Sequence, residues 1–338
     1  MVEATSALRR TQPLSLGIIG AGEIVTHVHL PVLSACEGVR FVYIADINAD
    51  AVKRATKSFG GMPVTLTGDP GVLPESDVVL LAVPVAVRMP YFELFARRGT
   101  CVLAEKPLAA SLADATRVCD LFPDYALGCG FQRRGYATVR LAQAIVAEGW
   151  LGPLRSITIE EGALTTKTGT DARFYDAGGN GGVLMDLGSH TLDLALRTSG
   201  AIKATVIDQH LMFDGDIDRE VQAHLLLHTP SGECELEYLV TWLRSAENVI
   251  RLRFDNCVAS LSCRPSEHIE IHGLRDARQT ARWLATDGAT TVYQAFYLEW
   301  MTFLDGVRGR QASAYSARSA LDAVAAVDAL YQAARQPQ

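Results

Sequence analysis

No apolar run in this chain reaches the roughly 18 to 20 residues that a membrane-spanning helix needs, so the sequence offers no transmembrane segment. No two cysteines have the CxxC spacing of a zinc or dithiol site, and their number is odd, at seven. Cys36, Cys101, Cys119 and Cys129 lie in apolar contexts. They read as buried free thiols of a reducing, cytoplasmic compartment. Cys257 and Cys263 are six apart, which suits neither a zinc pair nor an obvious nucleophile, and no metal site is expected. Runs of Lys or Arg longer than two are absent and the net charge is −7, so a nucleic-acid surface is not expected. Met1 to Pro13 is polar, with Arg9 and Arg10 but no apolar segment behind them like that of a secretion signal; it reads as a flexible tail. The chain has no internal repeat and no low-complexity segment.

What is present is 338 residues, 49% of them apolar. That is enough for two cores, and the length favours two domains. From Leu14 to Phe131 short apolar runs alternate with helical patterns. LSLGIIG (14–20), VRFVYIAD (39–46), DVVLLAVP (77–84), TCVLAEKP (100–107) and YALGCG (125–130) read as strands. Glu23 to Ala35, 49–60, 91–99 and 111–122 read as helices. Uniformly apolar strands separated by helices predict a parallel sheet covered on both faces, a doubly wound α/β Rossmann domain over 14–131. From 132 to 338 the pattern changes. After helix 138–148, strand 155–164 and a helix near 183–198, long alternating segments dominate: KATVIDQHLMF, VQAHLLLH, CELEYLVTW, VIRLRFDN, VASLSC and EHIEIHG. They predict an α+β domain on an open, mostly antiparallel sheet, closed by helices near 291–308 and 314–335.

GIIGAGEI follows the first strand and opens a helix. Gly20 would permit the tight turn, and Gly22 a close approach of backbone to a pyrophosphate at the positive end of that helix. The third glycine of the GxGxxG pattern is replaced by Val25. Asp46 ends the second strand, where a carboxylate can accept both ribose hydroxyls and repel a 2′-phosphate. With Ile47 and Asn48 following and no arginine, NAD is favoured and NADP remains possible. Glu23 and Ile24 continue the loop, and Val83 and Pro84 end the strand 77–84, so these too are candidate cofactor contacts.

EKP, Glu105 to Pro107, ends another strand at the edge where such sheets bind ligands; alone, Lys106 could equally be a surface charge. In GGVLMDLGSHTLDLAL (181–196), Asp186 and His190 are i and i+4 and share a helical face, which Asp193 could join.

With GIIGAGEI, AEKPLAASL and GGVLMDLGSHTLD in place, the chain resembles the glucose–fructose oxidoreductase, inositol dehydrogenase and MocA family over nearly its whole length. The resemblance implies a dinucleotide-binding domain followed by an open-sheet domain whose exposed face builds dimers or tetramers. It implies Lys106, Asp186 and His190 as catalytic residues, and substrate contacts from Gln132 and Arg133. The substrates it implies are sugars, cyclitols or nucleotide-linked sugars. Glu105 and Lys106 would also meet the cofactor. Family members often carry a TPPxxH segment where this chain reads VPVAVR, which leaves Arg88 open to the nicotinamide ribose, the substrate or solvent. Thr166, Lys167, Arg173, Tyr175 and Arg244 are further polar candidates for substrate hydroxyls or a phosphate. Chemically, His190 suits proton transfer at neutral pH, Asp186 would orient it, and Lys106 would hold the reacting oxygen. Two other classes remain: a glycosidase-type enzyme using NAD without net redox turnover, and a non-catalytic NAD-binding sensor.

Overall fold

The computed structural model describes residues 12–58, 63–165, 181–276 and 278–335. The chain divides into two units. The first takes in Met1–Leu108, Ala113–Gly130 and Phe296–Ser319; the second holds Ala109–Leu112, Phe131–Ala295 and Ala320–Gln338. The return of Phe296–Ser319 to the first unit carries no local sequence signal.

In the first unit the strands are β1 Leu14–Ile19, β2 Val39–Asp46, β3 Val64–Leu66, β4 Val78–Leu81, β5 Cys101–Ala104 and β6 Leu127–Cys129, all parallel and ordered β3-β2-β1-β4-β5-β6. β4 and β5 are buried at every residue, which is why they read as unbroken apolar runs. β3 escaped the sequence reading because it is a three-residue edge strand with exposed ends. The order reverses between β1 and β4, the point at which open sheets of this kind bind ligands at their strand carboxyl ends. The helix expected from Glu23 to Ala35 is two pieces, a π-helical turn Val25–His29 and a short α1, Leu30–Ser34. The wider turn begins at Val25, the fully buried residue standing where the fingerprint has a glycine. The helix α2, Ala49–Ser58, starts where the Asn48 side chain accepts the backbone N–H groups of Asp50 and Ala51. Helices α3, Met89–Arg98, and α4, Leu112–Asp120, follow β4 and β5.

The second unit opens with α5, Ala137–Ala147, and carries an eight-stranded sheet. Its strands are β7 Leu154–Gly162, β8 Lys203–Asp214, β9 Ile217–Thr229, β10 Gly232–Thr241, β11 Val249–Phe254, β12 Cys257–Ser262, β13 His268–Gly273 and β14 Thr280–Leu284. They are ordered β14-β13-β12-β11-β7-β10-β9-β8, and among the described residues only β7–β10 is a parallel pair. Alternation on β10 puts Cys234, Leu236, Tyr238 and Val240 inside and Glu233, Glu235 and Glu237 outside. The outer face is a register of polar rows: Asp208, His224, Glu237, Thr158, Arg251, Ser260, Glu270 and Arg282 lie opposite one another on successive strands. A π-helical turn, Leu184–Gly188, leads into α6, Ser189–Ser199. The chain then ends through α7, Val292–Gly309, and α8, Leu321–Arg335, which packs along α6 and β8.

Candidate active site

The candidate residues fall into two groups, one in each unit. In the first, Gly20 has φ +100°, and a Cβ there would stand 2.5 Å from the Ala82 carbonyl oxygen at the end of β4. Only glycine fits this turn, on conformation and on space. A Cβ on Gly22 would meet nothing within 4 Å, so the protein's own packing makes no demand for glycine there, and the space beside that backbone is open. The carboxylate of Asp46 joins the turn: Oδ2 accepts from Ala21 N at 2.7 Å and Oδ1 from Asn48 N at 2.8 Å. Each oxygen keeps lone-pair capacity for a further donor. Ile47 beside it is largely exposed, and Ile24 is partly so, whereas Glu23 pairs with His27 on the surface.

Val83, Arg88, Glu105 and Lys106 form one assembly. Arg88 is only 3% exposed, which excludes the solvent-facing reading. Its Nε donates to Val83 O at 2.7 Å, and its Nη1 donates to Glu105 O and Pro107 O, each at 2.5 Å. The guanidinium therefore ties the end of β4 to the carbonyls on either side of Lys106. Burial lowers its pKa to about 10 against the opposing effect of Glu105 and Cys129, so it stays protonated at neutral pH. Lys106 itself is half-buried between these two carbonyl anchors.

In the second unit, the start of the π-helical turn is held by a residue that sequence reasoning passed over. Asp218, buried on β9, accepts Gly182 N at 3.0 Å, Leu184 N at 2.8 Å and the Tyr331 hydroxyl at 2.7 Å. A Cβ on Gly182 would be 2.1 Å from Asp218 O, so glycine is required for this close approach. The loop thus leads into Asp186, half-buried in the π turn, and His190, 4% exposed in the first turn of α6. Four residues span nearly one turn of either helix type, so both project from one side of the segment. The ring of Phe131 meets the His190 ring edge-on, with centroids 5.7 Å apart. The hydroxyl of Tyr238 donates to Gly188 O at 3.0 Å and lies 3.0 Å from Thr191 Oγ1, fixing the segment to β10. π-Helical turns of this kind recur at functional sites.

Three other candidates have oppositely charged partners within the second unit. Asp193, three residues after His190 on α6, is committed to an ion pair. Its carboxylate is held by Arg134 through two bonds, Nε to Oδ2 at 2.8 Å and Nη2 to Oδ1 at 2.5 Å, with both residues buried. Arg134 in turn lies over the Phe131 ring, 4.9 Å from its centroid. Arg133 directs its guanidinium to the buried Glu161, at 2.7 and 3.0 Å. Burial opposes its charge, but Glu161 outweighs this and raises its pKa. Arg244 pairs with Glu220, whose carboxyl burial would raise but which Gln222, Thr241 and Arg244 hold below the usual range. Gln132 is half-buried in the 3₁₀ turn Gln132–Gly135. Thr166, Lys167, Arg173 and Tyr175 lie outside the described residues. All seven cysteines are free thiols and six are buried. Among the described residues no His, Cys, Asp or Glu cluster could hold a metal ion, and no helix is long and apolar enough to cross a membrane.

A parallel sheet in this order, a glycine turn at its switch point and an acid ending β2 define a dinucleotide-binding protein, here followed by a unit built on an open mixed sheet. The chain belongs to the GFO/IDH/MocA family. Residues 14–127 match its oxidoreductase, NAD-binding Rossmann model, and residues 139–273 match the GFO/IDH/MocA C-terminal domain. Two similar proteins are the dTDP-3,4-didehydro-2,6-dideoxy-alpha-D-glucose 3-reductases of Streptomyces violaceoruber and Actinomadura kijaniata. The first is 30% identical over 203 residues, 56% of this chain and 57% of that one. The second is 30% identical over 224 residues, 65% of this chain and 66% of that one. The matched segments thus span less than two thirds of either relative. A solved structure of a 3-ketoreductase from Actinomadura kijaniata, in complex with NADP and TDP-benzene, shares the fold at a TM-score of 0.80 and 22% identity. The likeness covers 95% of this chain and 98% of that one.

Proposed function

We propose that this protein is an NAD(P)-dependent oxidoreductase that moves a hydride between the cofactor and a secondary alcohol or ketone carbon of a sugar, cyclitol or nucleotide-linked sugar. The observation that carries the reading is the switch-point turn, with Gly20 forced by Ala82 and Gly22 left open. A bound nicotinamide supplies the hydride acceptor or donor; the protein supplies geometry and proton transfer. Gly20, Gly22, Glu23, Ile24, Asp46, Val83, Pro84, Glu105 and Lys106 are assigned to cofactor binding, with Arg88 shaping the segment that carries Lys106. His190 takes the hydroxyl proton on an imidazole nitrogen during oxidation and returns it during reduction. Asp186 orients the ring or binds a neighbouring hydroxyl. Lys106 holds the substrate oxygen and stabilises the charge that grows there. Gln132, Arg133, Arg173 and Tyr175 are assigned to the substrate's remaining groups.

The named relatives reduce a keto group on a dTDP-linked sugar, which puts nucleotide-linked 3-keto sugars first among the candidates. A panel of sugars, cyclitols and nucleotide sugars, tested with both cofactors and followed by nicotinamide absorbance, checks the reading. Stoichiometric change of cofactor with one of them is expected. Turnover without net cofactor change would replace it with the glycosidase-type alternative, and cofactor binding without turnover with the sensor.

NAD is the proposed preference, because the Asp46 carboxylate lies at the turn and Ile47 follows it. Asp46→Ala should weaken NAD binding roughly 10- to 100-fold, the worth of hydrogen bonds to a charged group. Asp46→Ser combined with Ile47→Arg should raise relative affinity for NADP. Fluorescence titration with both reduced cofactors measures this, and a wild type that already prefers NADP would refute it.

The outer face of the second unit's sheet is the proposed contact between copies, giving a dimer or tetramer, and the free thiols support a cytoplasmic setting. Sedimentation at micromolar concentration should report an oligomer, and Glu237→Arg with Thr158→Arg, adjacent on that face, should shift it toward monomer.

A further inference from the structure

Behind Lys106 lies a buried chain of polar groups that the proposed mechanism does not use. His29, at the end of the first π-helical turn, is 1% exposed. Its Nδ1 is 2.9 Å from the indole Nε1 of Trp300, and its Nε2 is 2.7 Å from Oε1 of Glu105. An indole N–H can only donate. Nδ1 of His29 must therefore present its lone pair, and the ring's single proton sits on Nε2 and is donated to the carboxylate. Phe296 closes the ring edge-on at 5.0 Å. The other oxygen of Glu105, Oε2, accepts the backbone N–H of Lys106 at 3.1 Å. Trp300 is fully buried, so this order of donors is fixed by packing.

We propose that His29 is a positioning residue for Lys106: with its tautomer set by Trp300, it holds the Glu105 carboxylate as the acceptor that fixes the Lys106 backbone. This rests on the assignment of Lys106 to the reacting oxygen. The groups facing Glu105 are His29, Lys106 and Arg88, and those facing His29 are Glu105, Trp300 and Phe296. Burial pushes the Glu105 carboxyl up, but the His29 hydrogen bond and the surrounding positive charge outweigh it and hold the group below its ordinary value. Loss of the His29 donor removes the largest effect opposing burial, so the carboxyl then titrates higher than in the wild type.

Two readouts on the unliganded protein test the arrangement without turnover. Nitrogen-15 NMR of the imidazole at neutral pH should show the proton on Nε2 in the wild type and a mixture of tautomers in Trp300→Phe. Carbon-13 NMR of the Glu105 carboxyl should titrate below its ordinary value in the wild type and at a higher pH than that in His29→Leu. Turnover of the substrate found by the panel supplies the functional arm. His29→Leu should lose about 10²-fold in kcat, the cost of a small misplacement of a catalytic group, and gain a new acid limb in its pH profile. In His29→Gln, whose amide can still donate to Glu105, kcat should return to within roughly tenfold of wild type, without that limb. Nδ1-protonated His29 in the wild type, equal losses in the Leu and Gln variants, or an unchanged pH profile in His29→Leu would each overturn the proposal. If no substrate is turned over, the assignment of Lys106 falls, and the two NMR readouts still decide the His29–Glu105 arrangement.

Discussion

His190→Ala should lower turnover by about 10² to 10⁴, the usual worth of a positioned general acid–base, while NAD affinity stays nearly unchanged. The two effects separate because His190 belongs to the second unit, and the turn at Gly20 and the Asp46 carboxylate belong to the first. Lys106→Ala should lose turnover and also bind substrate more weakly, since a charge beside the reacting oxygen serves the ground and transition states alike. Asp186→Asn keeps the shape and removes the charge, so a purely orienting Asp186 predicts a smaller loss than His190→Ala. The pH profile distinguishes the roles. The limb that reports the proton-transfer group should vanish in His190→Ala and persist in Asp186→Asn. Steady-state kinetics from pH 5 to 10 measure both, and wild-type turnover in His190→Ala would transfer proton transfer to another group, Lys106 first.

The second large effect is on stability. Asp193→Ala leaves the Arg134 guanidinium buried beside the Phe131 ring without its two carboxylate bonds. Breaking a buried ion pair by removing one partner costs about 3 to 5 kcal/mol, because the remaining charge stays desolvated. Urea denaturation should show that loss as a lower midpoint with little change in slope. The double replacement Arg134→Met with Asp193→Leu removes both charges and should recover most of it. Because Phe131 lies between Arg134 and His190, Asp193→Ala should also disturb the His190 ring and lower kcat. If Asp193→Ala is as stable as the wild type, the pair carries no such weight.

Much of the architecture was legible without coordinates, because the signals that carry it are local. Doubly buried parallel strands such as Val78–Leu81 need apolar residues at every position, whereas Cys234, Leu236, Tyr238 and Val240 alternate with glutamates because one face of their strand is covered. The glycine turn, the acid ending Val39–Asp46 and the helix carrying His190 were readable for the same reason: each depends on residues a few positions apart. What the tertiary structure decided is where buried polar groups find partners. Arg133 meets Glu161, 28 positions on, and Arg134 meets Asp193, 59 positions on. Gly182 is capped by Asp218, 36 positions away, and His29 is oriented by Trp300 across 271. Nothing local marks these pairings. A buried charge or N–H must be satisfied by whatever the topology brings beside it, so Arg88, open to three readings in the sequence, became the clamp on the Lys106 segment only once β4 and β5 lay side by side.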